Sequence, residues 1–340
     1  MNSPKFLQQV LGVIMVVVFL AGCAAPTATP SLSPTFPPPP PTFPPPPLPS
    51  PTFPPPPVPS LMPTGQASTC GIGEFSPLGV LRSIDHGATW VSLGNACWHD
   101  SSILSVDPTA LVINGNIVLY FLDMATLTND ESITTPRIIY RATTVDGVNF
   151  DKPQPAFTQT HNIVDPSVVR MPDGSFRLYV ASDPEGIISA TSTDGLVFTL
   201  ENGVRSTAGA MPGALLLPDN RVRLFLAGGI EGQNGIFSQI SNDGLTFTNE
   251  SGIRILAPAD TITDNPQPIR LADGSYLLLY QNIGIKDVGN PPKNEIHLAT
   301  SADGFNWTAN PTVIEHGGTT CVIEASDGTL YIYFGTTFPK

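Results

Sequence analysis

Short runs of alternating apolar and polar residues give the stretch from Val164 to Thr199 its pattern. Turn-forming residues interrupt the runs at Pro172-Asp173-Gly174, Asp183-Pro184-Glu185-Gly186 and Thr193-Asp194-Gly195. The alternation predicts four strands, at Val168–Met171, Phe176–Ala181, Ile187–Ser192 and from Val197 onward. Four antiparallel strands cannot bury both faces of their sheet alone, so such a unit needs copies of itself as neighbours.

Both halves of this unit recur along the chain. The closing turn, Ser or Thr followed by Asp, Gly and an aromatic residue, occurs five times, with its aspartates at Asp85, Asp146, Asp194, Asp243 and Asp303. These aspartates are 61, 48, 49 and 60 residues apart. The first half also occurs five times, beginning at Asp107, Asp165, Pro212, Asn265 and Thr319. Repeats of this kind predict an all-β fold, a five-bladed β-propeller of four-stranded antiparallel blades.

The order of the two halves predicts how the ring closes. The turn at Asp85 comes before any copy of the first half. The final copy of the first half, Thr319–Thr336, has no closing turn after it. The N-terminal hairpin would therefore supply the outer two strands of a blade whose inner two strands come from the C-terminus. This arrangement leaves no open edge, and it predicts that N- and C-terminal strands pair.

The N-terminus has the features of a targeting segment. Lys5 precedes an apolar run, Val10–Leu20, which is short against the ~20 residues of a membrane span. The run ends in Leu20-Ala21-Gly22-Cys23, which resembles the bacterial lipoprotein box. The resemblance implies that residues 1–22 are a signal peptide, that Cys23 is lipidated, and that the protein is exported and anchored to the outer face of a bacterial membrane. The alternative is an uncleaved anchor helix.

Residues 23–68 form the next predicted region, a disordered proline-rich tether that contains PTFPPPP three times. Such a tract favours polyproline II at ~3.1 Å per residue and has no core. It would act as a spacer; a docking ligand for another domain is the alternative. Residues 69–340 are the predicted propeller.

Three cysteines lie in the predicted propeller. An oxidising exported location permits a disulfide. Cys70 and Cys97 flank one predicted hairpin, so we predict that they pair and that Cys321 is a buried free thiol.

Acidic residues outnumber basic ones in the predicted propeller. The net charge is −13 at pH 7, and Lys5 is the only charged residue before Glu74. This charge argues against nucleic acid and anionic membrane surfaces as partners. The sequence shows no cofactor motif and no zinc-like spacing of Cys and His, so we expect neither cofactor nor metal. We also expect a monomer.

The closing turns have a structural interpretation. Asp and Ser or Thr can bond the turn backbone, Gly can adopt positive φ, and the aromatic residue can pack between blades. Ser83–Trp90 resembles the Asp-box of sialidase-like propellers. Calcium binding by the aspartates is the alternative.

The innermost strand of each blade brings its first residues to the central axis. Asp107, Asp165 and Asp264 would meet there and perturb each other's pKa values, which suits general acid–base chemistry. The competing interpretation is that Asp-Pro merely starts a strand. Loops on the same face offer Glu231 as a further catalytic candidate and four candidate substrate ligands, Asp123, His161, Glu185 and Gln281.

From about Gly79 onward the chain resembles the five-bladed propellers of furanosidases such as arabinanases and xylosidases. Asp107-Pro108-Thr109 and Asp165-Pro166-Ser167 are similar to the Asp-Pro-Ser motifs of that group. The resemblance implies that Asp107 is the general base and Asp165 an orienting, pKa-setting residue. The group's acid is a Glu at a later blade, where this chain has Ala210-Met211-Pro212, so Asp264 or Glu231 would have to serve as acid.

Three functions follow as hypotheses. The first is hydrolysis of glycosidic bonds in a carbohydrate by the axial carboxylates. The second is a propeller that binds carbohydrate or protein without chemistry. The third is a purely structural envelope protein.

Overall fold

The structure, a computed structural model, describes residues 78–99, 103–123, 136–284 and 294–336. The predicted leader, Cys23, the tether and Cys70 lie outside these residues, so those predictions stay predictions. Every regular element in the described part is a strand. No helix there could cross a membrane.

The strands follow the chain in blade-sized groups. The first hairpin consists of β1 (Leu78–Ser83) and β2 (Val91–Asn95), and β3 (Cys97–Trp98) follows. Blade 1 consists of β4 (Ser105–Ile113), β5 (Asn116–Asp123), β6 (Arg137–Thr144) and, after the short β7 (Asn149–Phe150), β8 (Gln154–Gln159). Blade 2 consists of β9 (Asn162–Arg170), β10 (Phe176–Asp183), β11 (Gly186–Ser192) and β12 (Thr199–Leu200).

Blades 3 and 4 each add a short fifth strand. Blade 3 consists of β13 (Ala210–Leu216), β14 (Val222–Ile230), β15 (Gln233–Ser241), β16 (Thr248–Asn249) and β17 (Ile255–Leu256). Blade 4 consists of β18 (Thr261–Arg270), β19 (Tyr276–Gly284), β20 (Asn294–Ser301), β21 (Thr308–Ala309) and β22 (Glu315–His316). The last strands are β23 (Gly318–Glu324) and β24 (Leu330–Gly335).

The ring closes as predicted. The closing blade has the strand order β2-β1-β24-β23. All six residues of β1 pair with β24 in antiparallel register, from Leu78 opposite Gly335 to Ser83 opposite Leu330. A second, parallel pairing of β3 with β7 ties the segment after the first hairpin to blade 1. The five-bladed, all-β prediction is confirmed.

The core consists of five apolar clusters, and each joins two neighbouring blades. The aromatic residue of a closing turn contributes to each interface, as predicted. Phe247 of blade 3, for example, packs edge-on against Tyr179 of blade 2 with ring centroids 5.9 Å apart, and the Tyr179 hydroxyl donates to the Gly244 carbonyl at 2.7 Å. Tyr120 and Tyr333 donate in the same way to Gly195 and Gly147.

The closing turns are held by their own side chains. The Asp243 Oδ1 accepts the N–H groups of Leu245 and Thr246 at 2.8 Å each, and the Ser241 hydroxyl donates to it at 2.8 Å. The two backbone N–H groups lower the pKa of Asp243 to about 2. Asp146 and Asp303 make the same backbone bonds. These contacts favour the structural role of the turns over the calcium alternative.

Buried ion pairs reinforce two further interfaces. Arg223 binds both carboxylate oxygens of Glu250 at 2.7 and 2.8 Å and donates to the Gly304 carbonyl of blade 4 at 2.8 Å. Arg177 binds Glu201 in the same way and reaches the carbonyl of Asp243 in blade 3. Each of these arginines therefore binds a glutamate of its own blade and the closing turn of the next blade.

The innermost strands also bond to one another. The Ala214 N–H of blade 3 donates to the Ser167 hydroxyl of blade 2 at 2.8 Å. At the next interface the equivalent positions are Gly213 of blade 3 and Pro268 of blade 4. The bond cannot form there, because Gly213 has no hydroxyl and Pro268 has no N–H. A Cβ on Gly213 would overlap the carbonyl oxygen of Pro266, so the inner strands of blades 3 and 4 approach closely here.

The innermost strands begin earlier than predicted. β4 begins two residues before Asp107 and β9 three residues before Asp165, so Asp-Pro lies inside the strand and does not start it. In each inner strand the pairing with the second strand shifts register at this point. Five non-glycine residues at the shift have φ between 45° and 53°: Asp107, Asp165, Met211, Asn265 and Thr319. We call these the bulge residues, because a bulge allows the strand to continue past a residue with left-handed φ.

The described cysteines are Cys97 and Cys321. Cys97 is disulfide-bonded, and Cys321 is a free, buried thiol. Burial raises the pKa of Cys321 well above its ordinary value, which makes it unreactive. The pairing of Cys97 with Cys70 stays a prediction, because Cys70 lies outside the described residues.

Candidate active site

Two carboxylates occupy bulge positions on neighbouring blades. Asp107 of blade 1 and Asp165 of blade 2 are both half-buried, so each still reaches solvent. The Asp165 N–H donates to the Asp107 Oδ2 at 3.4 Å, which is a long hydrogen bond. The left-handed φ of a bulge residue is uncommon outside glycine and recurs at functional sites, where it turns a side chain out of the regular strand pattern.

The third carboxylate lies one position away from the bulge. Asn265 is the bulge residue of blade 4, and Asp264 precedes it with only 3% of its surface exposed. The side chain of Asp264 hydrogen-bonds to Gln281 on the paired strand, while its Oδ1 is buried and makes no hydrogen bond with the described residues. Gln281 in turn accepts the Thr319 N–H of the closing blade at 3.2 Å. Asp264 therefore approaches the axis from deeper in the protein than Asp107 and Asp165.

The three carboxylates share one electrostatic environment. Burial raises the pKa of Asp264 to about 7, although its bond to Gln281 lowers it. Burial raises the pKa of Asp107 to about 6 against the lowering effects of the Asp165 N–H and Arg137. Burial, and then the charges of Asp107 and Asp264, raise the pKa of Asp165 well above its usual range. The cluster therefore retains protons at neutral pH, which exposed carboxylates do not.

Arg137 is a site residue that the sequence pattern does not predict. It is buried at the first position of β6, and its positive charge favours the ionised form of Asp107. Its burial lowers its own pKa, and Asp107 opposes that shift. The available signal was its position: it is a basic residue at the start of a strand, at the end of blade 1 where Asp107 lies.

His161 and Glu185 form a pair at the rim of blade 2. The His161 Nδ1 lies 2.9 Å from the Glu185 Oε1, and the Ser182 hydroxyl donates to the Glu185 Oε2 at 2.6 Å. The Ser182 hydrogen bond and His161 lower the pKa of Glu185. His161 is exposed and Glu185 is half-buried, so this pair can meet a ligand at the rim of the blade that carries Asp165.

The structure distributes the other predicted residues differently. Asp123 ends β5 opposite Ser105 and is half-buried beside the start of the inner strand of blade 1. Gln281 is not a loop residue as expected but a buried residue of β19, because that strand continues to Gly284. Glu231 lies in the exposed turn between β14 and β15, and its charge acts on Arg254 instead of the axial carboxylates. The structure therefore does not bring Glu231 into the cluster.

Blade 3 brings no carboxylate to the axis. Its bulge residue is Met211, which is half-buried between the blades that carry Asp165 and Asn265. In the described part of the chain, no group of three or more His, Cys, Asp or Glu side chains is arranged to hold a metal ion. The site is thus a cluster of three carboxyl groups from blades 1, 2 and 4, with Arg137 and Gln281 as their partners.

The fold and the site together define a class of structure, a five-bladed propeller with carboxyl groups at or beside the bulges of its inner strands. Solved structures of similar fold include an alpha-L-arabinofuranosidase from Clostridium thermocellum, 19% identical, with a TM-score of 0.51 over 68% of this chain and 82% of that one. An endo-arabinase from Bacteroides thetaiotaomicron is 17% identical, with a TM-score of 0.51 over 69% of this chain and 94% of that one. A thermostable family-43 glycoside hydrolase is 16% identical, with a TM-score of 0.51 over 67% of this chain and 83% of that one.

At these identities the likeness extends to the fold alone. No protein-family model and no curated protein matches the chain.

Proposed function

We propose that the propeller is a glycoside hydrolase whose chemistry lies on Asp107, Asp165 and Asp264. The observation that carries the proposal is that three carboxyl groups from three blades interact at the axis and have raised pKa values. Glycoside hydrolysis needs one carboxylate that is ionised and one carboxyl that keeps its proton near neutral pH. The arabinofuranosidase and endo-arabinase of similar fold support a carbohydrate as the substrate.

The roles follow from the environments of the three groups. Asp107, with a pKa of about 6 and Arg137 nearby, is ionised at pH 7 and is our candidate base, which takes a proton from the attacking water. Asp264, with a pKa of about 7, is our candidate acid, which protonates the departing glycosidic oxygen. The charges of both Asp107 and Asp264 act on Asp165, and the Asp165 N–H positions the Asp107 carboxylate. The water oxygen bonds to the anomeric carbon as the glycosidic bond breaks, so the configuration inverts.

Asp264 is favoured over Glu231 as acid because only Asp264 interacts with the axial carboxylates. Asp264 is 3% exposed, so its carboxyl must rotate toward the propeller axis to reach a substrate oxygen. We therefore expect the loss of Asp264 to lower kcat/KM most for substrates whose leaving group needs a proton.

The test is hydrolysis of aryl arabinosides and xylosides with leaving groups of graded acidity. We expect Asp107→Asn to lower kcat/KM by about 100-fold or more for every leaving group, within the range of one acid–base group. Asp264→Asn should lower it strongly for poor leaving groups and little for dinitrophenyl. Glu231→Gln, a carboxylate change outside the axial cluster, is the matched control and should be unchanged. Equal losses in Asp264→Asn for all leaving groups would exclude the acid role.

Met211 favours a second function, a carbohydrate-binding propeller without chemistry, because no carboxylate is present at the blade 3 bulge. Glycan binding without turnover on any substrate, in a folded protein, would favour this alternative and overturn the first. Weaker binding in a His161→Ala variant would then assign the rim of blade 2 to the ligand.

We also propose that the propeller is held at the outer face of a bacterial membrane through Cys23. The basis is the sequence Leu20-Ala21-Gly22-Cys23 after an apolar run. Mass spectrometry of the mature N-terminus should find diacylglyceryl-modified Cys23, and Cys23→Ser should release the protein from membranes. An unmodified N-terminus that begins at Met1 would contradict the proposal.

A further inference from the structure

A cavity lies on the propeller axis beyond the carboxylates. The five innermost strands enclose a space of about 310 Å³. Its upper end is marked by Thr109, Ser167 and Gln267, each two residues past a bulge residue. Its lower end reaches Arg170, Arg270 and Glu324, the last residues of β9, β18 and β23. The cavity therefore ends at the face that carries the hairpin turns, opposite to the candidate active site.

Two arginines stand at the lower end of this cavity. Arg170 and Arg270 occupy the same position on blades 2 and 4, five residues after the bulge residue, and both are exposed. Neither has a carboxylate within 4.0 Å in the described part of the chain. Glu324 also lines the cavity, but its Oε2 accepts the Ala272 N–H at 2.7 Å and so holds a neighbouring turn. Two of the three charged side chains that line the cavity are therefore positive.

The walls between the two ends are mostly apolar. They include Leu111, Val168, Ala214, Leu216, Pro268 and Val322. The volume falls at the lower end of the range of small-molecule pockets, which combine apolar walls with a few polar groups that fix orientation. The whole chain carries −13 at pH 7, so an anion would find a favourable potential only where arginines are locally unopposed.

We propose that this axial cavity binds a small amphiphilic anion. Its apolar body would lie between the inner strands, and its carboxylate would accept hydrogen bonds from Arg170 and Arg270. Planar guanidinium groups are suited to this, because they bind carboxylates in a fork geometry. The proposal concerns the face opposite the carboxylates and does not depend on the proposed hydrolysis.

Titration calorimetry of the purified protein with three probes tests each part of the proposal. Hexanoate has an apolar chain and a negative charge. Hexanol has the apolar chain without the charge, and inorganic phosphate has negative charge without an apolar chain. We expect hexanoate to bind with a stoichiometry of one and about tenfold or more tightly than either other probe, because charge-assisted bonds and apolar burial add. Hexanol binding as tightly as hexanoate, phosphate binding as tightly, or no saturable binding would each overturn the proposal.

Variants locate the site. Arg170→Gln and Arg270→Gln should each weaken hexanoate binding about tenfold. Glu324→Gln should strengthen it, because a negative charge leaves the mouth. Arg221→Gln is the matched control: this exposed arginine lies in the turn between β13 and β14 on the same face and pairs with Asp219 at 2.7 Å. Equal weakening in Arg221→Gln would show that only the net charge matters and would refute the site.

Discussion

Replacing the buried Asp264 by asparagine should change how stability depends on pH. Asparagine has nearly the shape of a neutral aspartic acid, so the variant imitates the protonated state at every pH. The folded protein raises the pKa of Asp264 from 3.8 to about 7. A group whose pKa is raised on folding stabilises the protein fully below its unfolded pKa, and this contribution is lost as the pH rises through the folded pKa.

The magnitude follows from the same two values. One pKa unit corresponds to about 1.4 kcal/mol, so ionising Asp264 in the folded protein costs about 4 kcal/mol. Asp264 is 3% exposed, so solvent screening reduces this little. Asp165 shares part of the cost, because its pKa is raised by the Asp264 charge. We therefore expect the free energies of unfolding of Asp264→Asn and the wild type to lie within about 1 kcal/mol of each other near pH 4, and the variant to be about 3 kcal/mol more stable near pH 8.

The assay is urea unfolding between pH 4 and pH 8.5, followed by circular dichroism. Asp173→Asn is the control, since the Asp173 carboxylate holds an exposed turn through Ser175 and its pKa is lowered. That variant should show no gain in stability relative to the wild type as the pH rises from 6 to 8. If the difference in unfolding free energy between Asp264→Asn and the wild type does not depend on pH, Asp264 is not a buried neutral acid. That result would refute its assignment as the general acid.

Three further changes test the packing between blades by urea unfolding. Arg223→Met should cost about 3 kcal/mol, because Glu250 loses its bidentate ion-pair partner and keeps only the Ser238 hydroxyl and the nearby charge of Arg254. Tyr179→Phe should cost about 1–3 kcal/mol, because the buried carbonyl that accepts its hydroxyl loses its bond. Gly213→Ala should cost about 1–3 kcal/mol or more, because its Cβ would overlap the Pro266 backbone.

The control for Arg223→Met is an exposed ion pair. Arg221→Met breaks an ion pair with Asp219 in which both side chains are exposed, and should cost less than about 1 kcal/mol. A loss in Arg223→Met no larger than this control would contradict the view that blade interfaces depend on the buried pair. An unchanged free energy in Gly213→Ala would show that the inner strands of blades 3 and 4 can separate without cost.

The fold could be predicted from the sequence because its signals are local and repeated. A turn such as Ser241-Asn242-Asp243-Gly244 specifies its own hydrogen bonds, and five copies specify the blade number. The ring closure could be predicted because the two unmatched halves, at Asp85 and Thr319, complement each other. These inferences need no knowledge of contacts between distant residues.

The site could be predicted only in part, because register decides it. A bulge inside the strand, invisible in the alternation, gives Asn265 a left-handed φ and leaves the preceding Asp264 buried. The same pairing buries Gln281 within β19 instead of leaving it in a loop. Arg137 joins the cluster only because β6 brings its first residue near Asp107, which no short-range pattern shows.

The pairing of β1 with β24 has a consequence for the order of folding. It joins residues about 250 positions apart, so the closing blade has the highest contact order in the molecule and the largest loop-closure entropy. Blades 1 to 4 can form as the chain emerges, but they remain an open arc until β23 and β24 arrive. During that interval the apolar faces of blade 1 and blade 4 that the closing blade later covers are exposed to other chains. Ring closure is therefore the late, aggregation-sensitive step, and truncation before β23 should leave an insoluble arc.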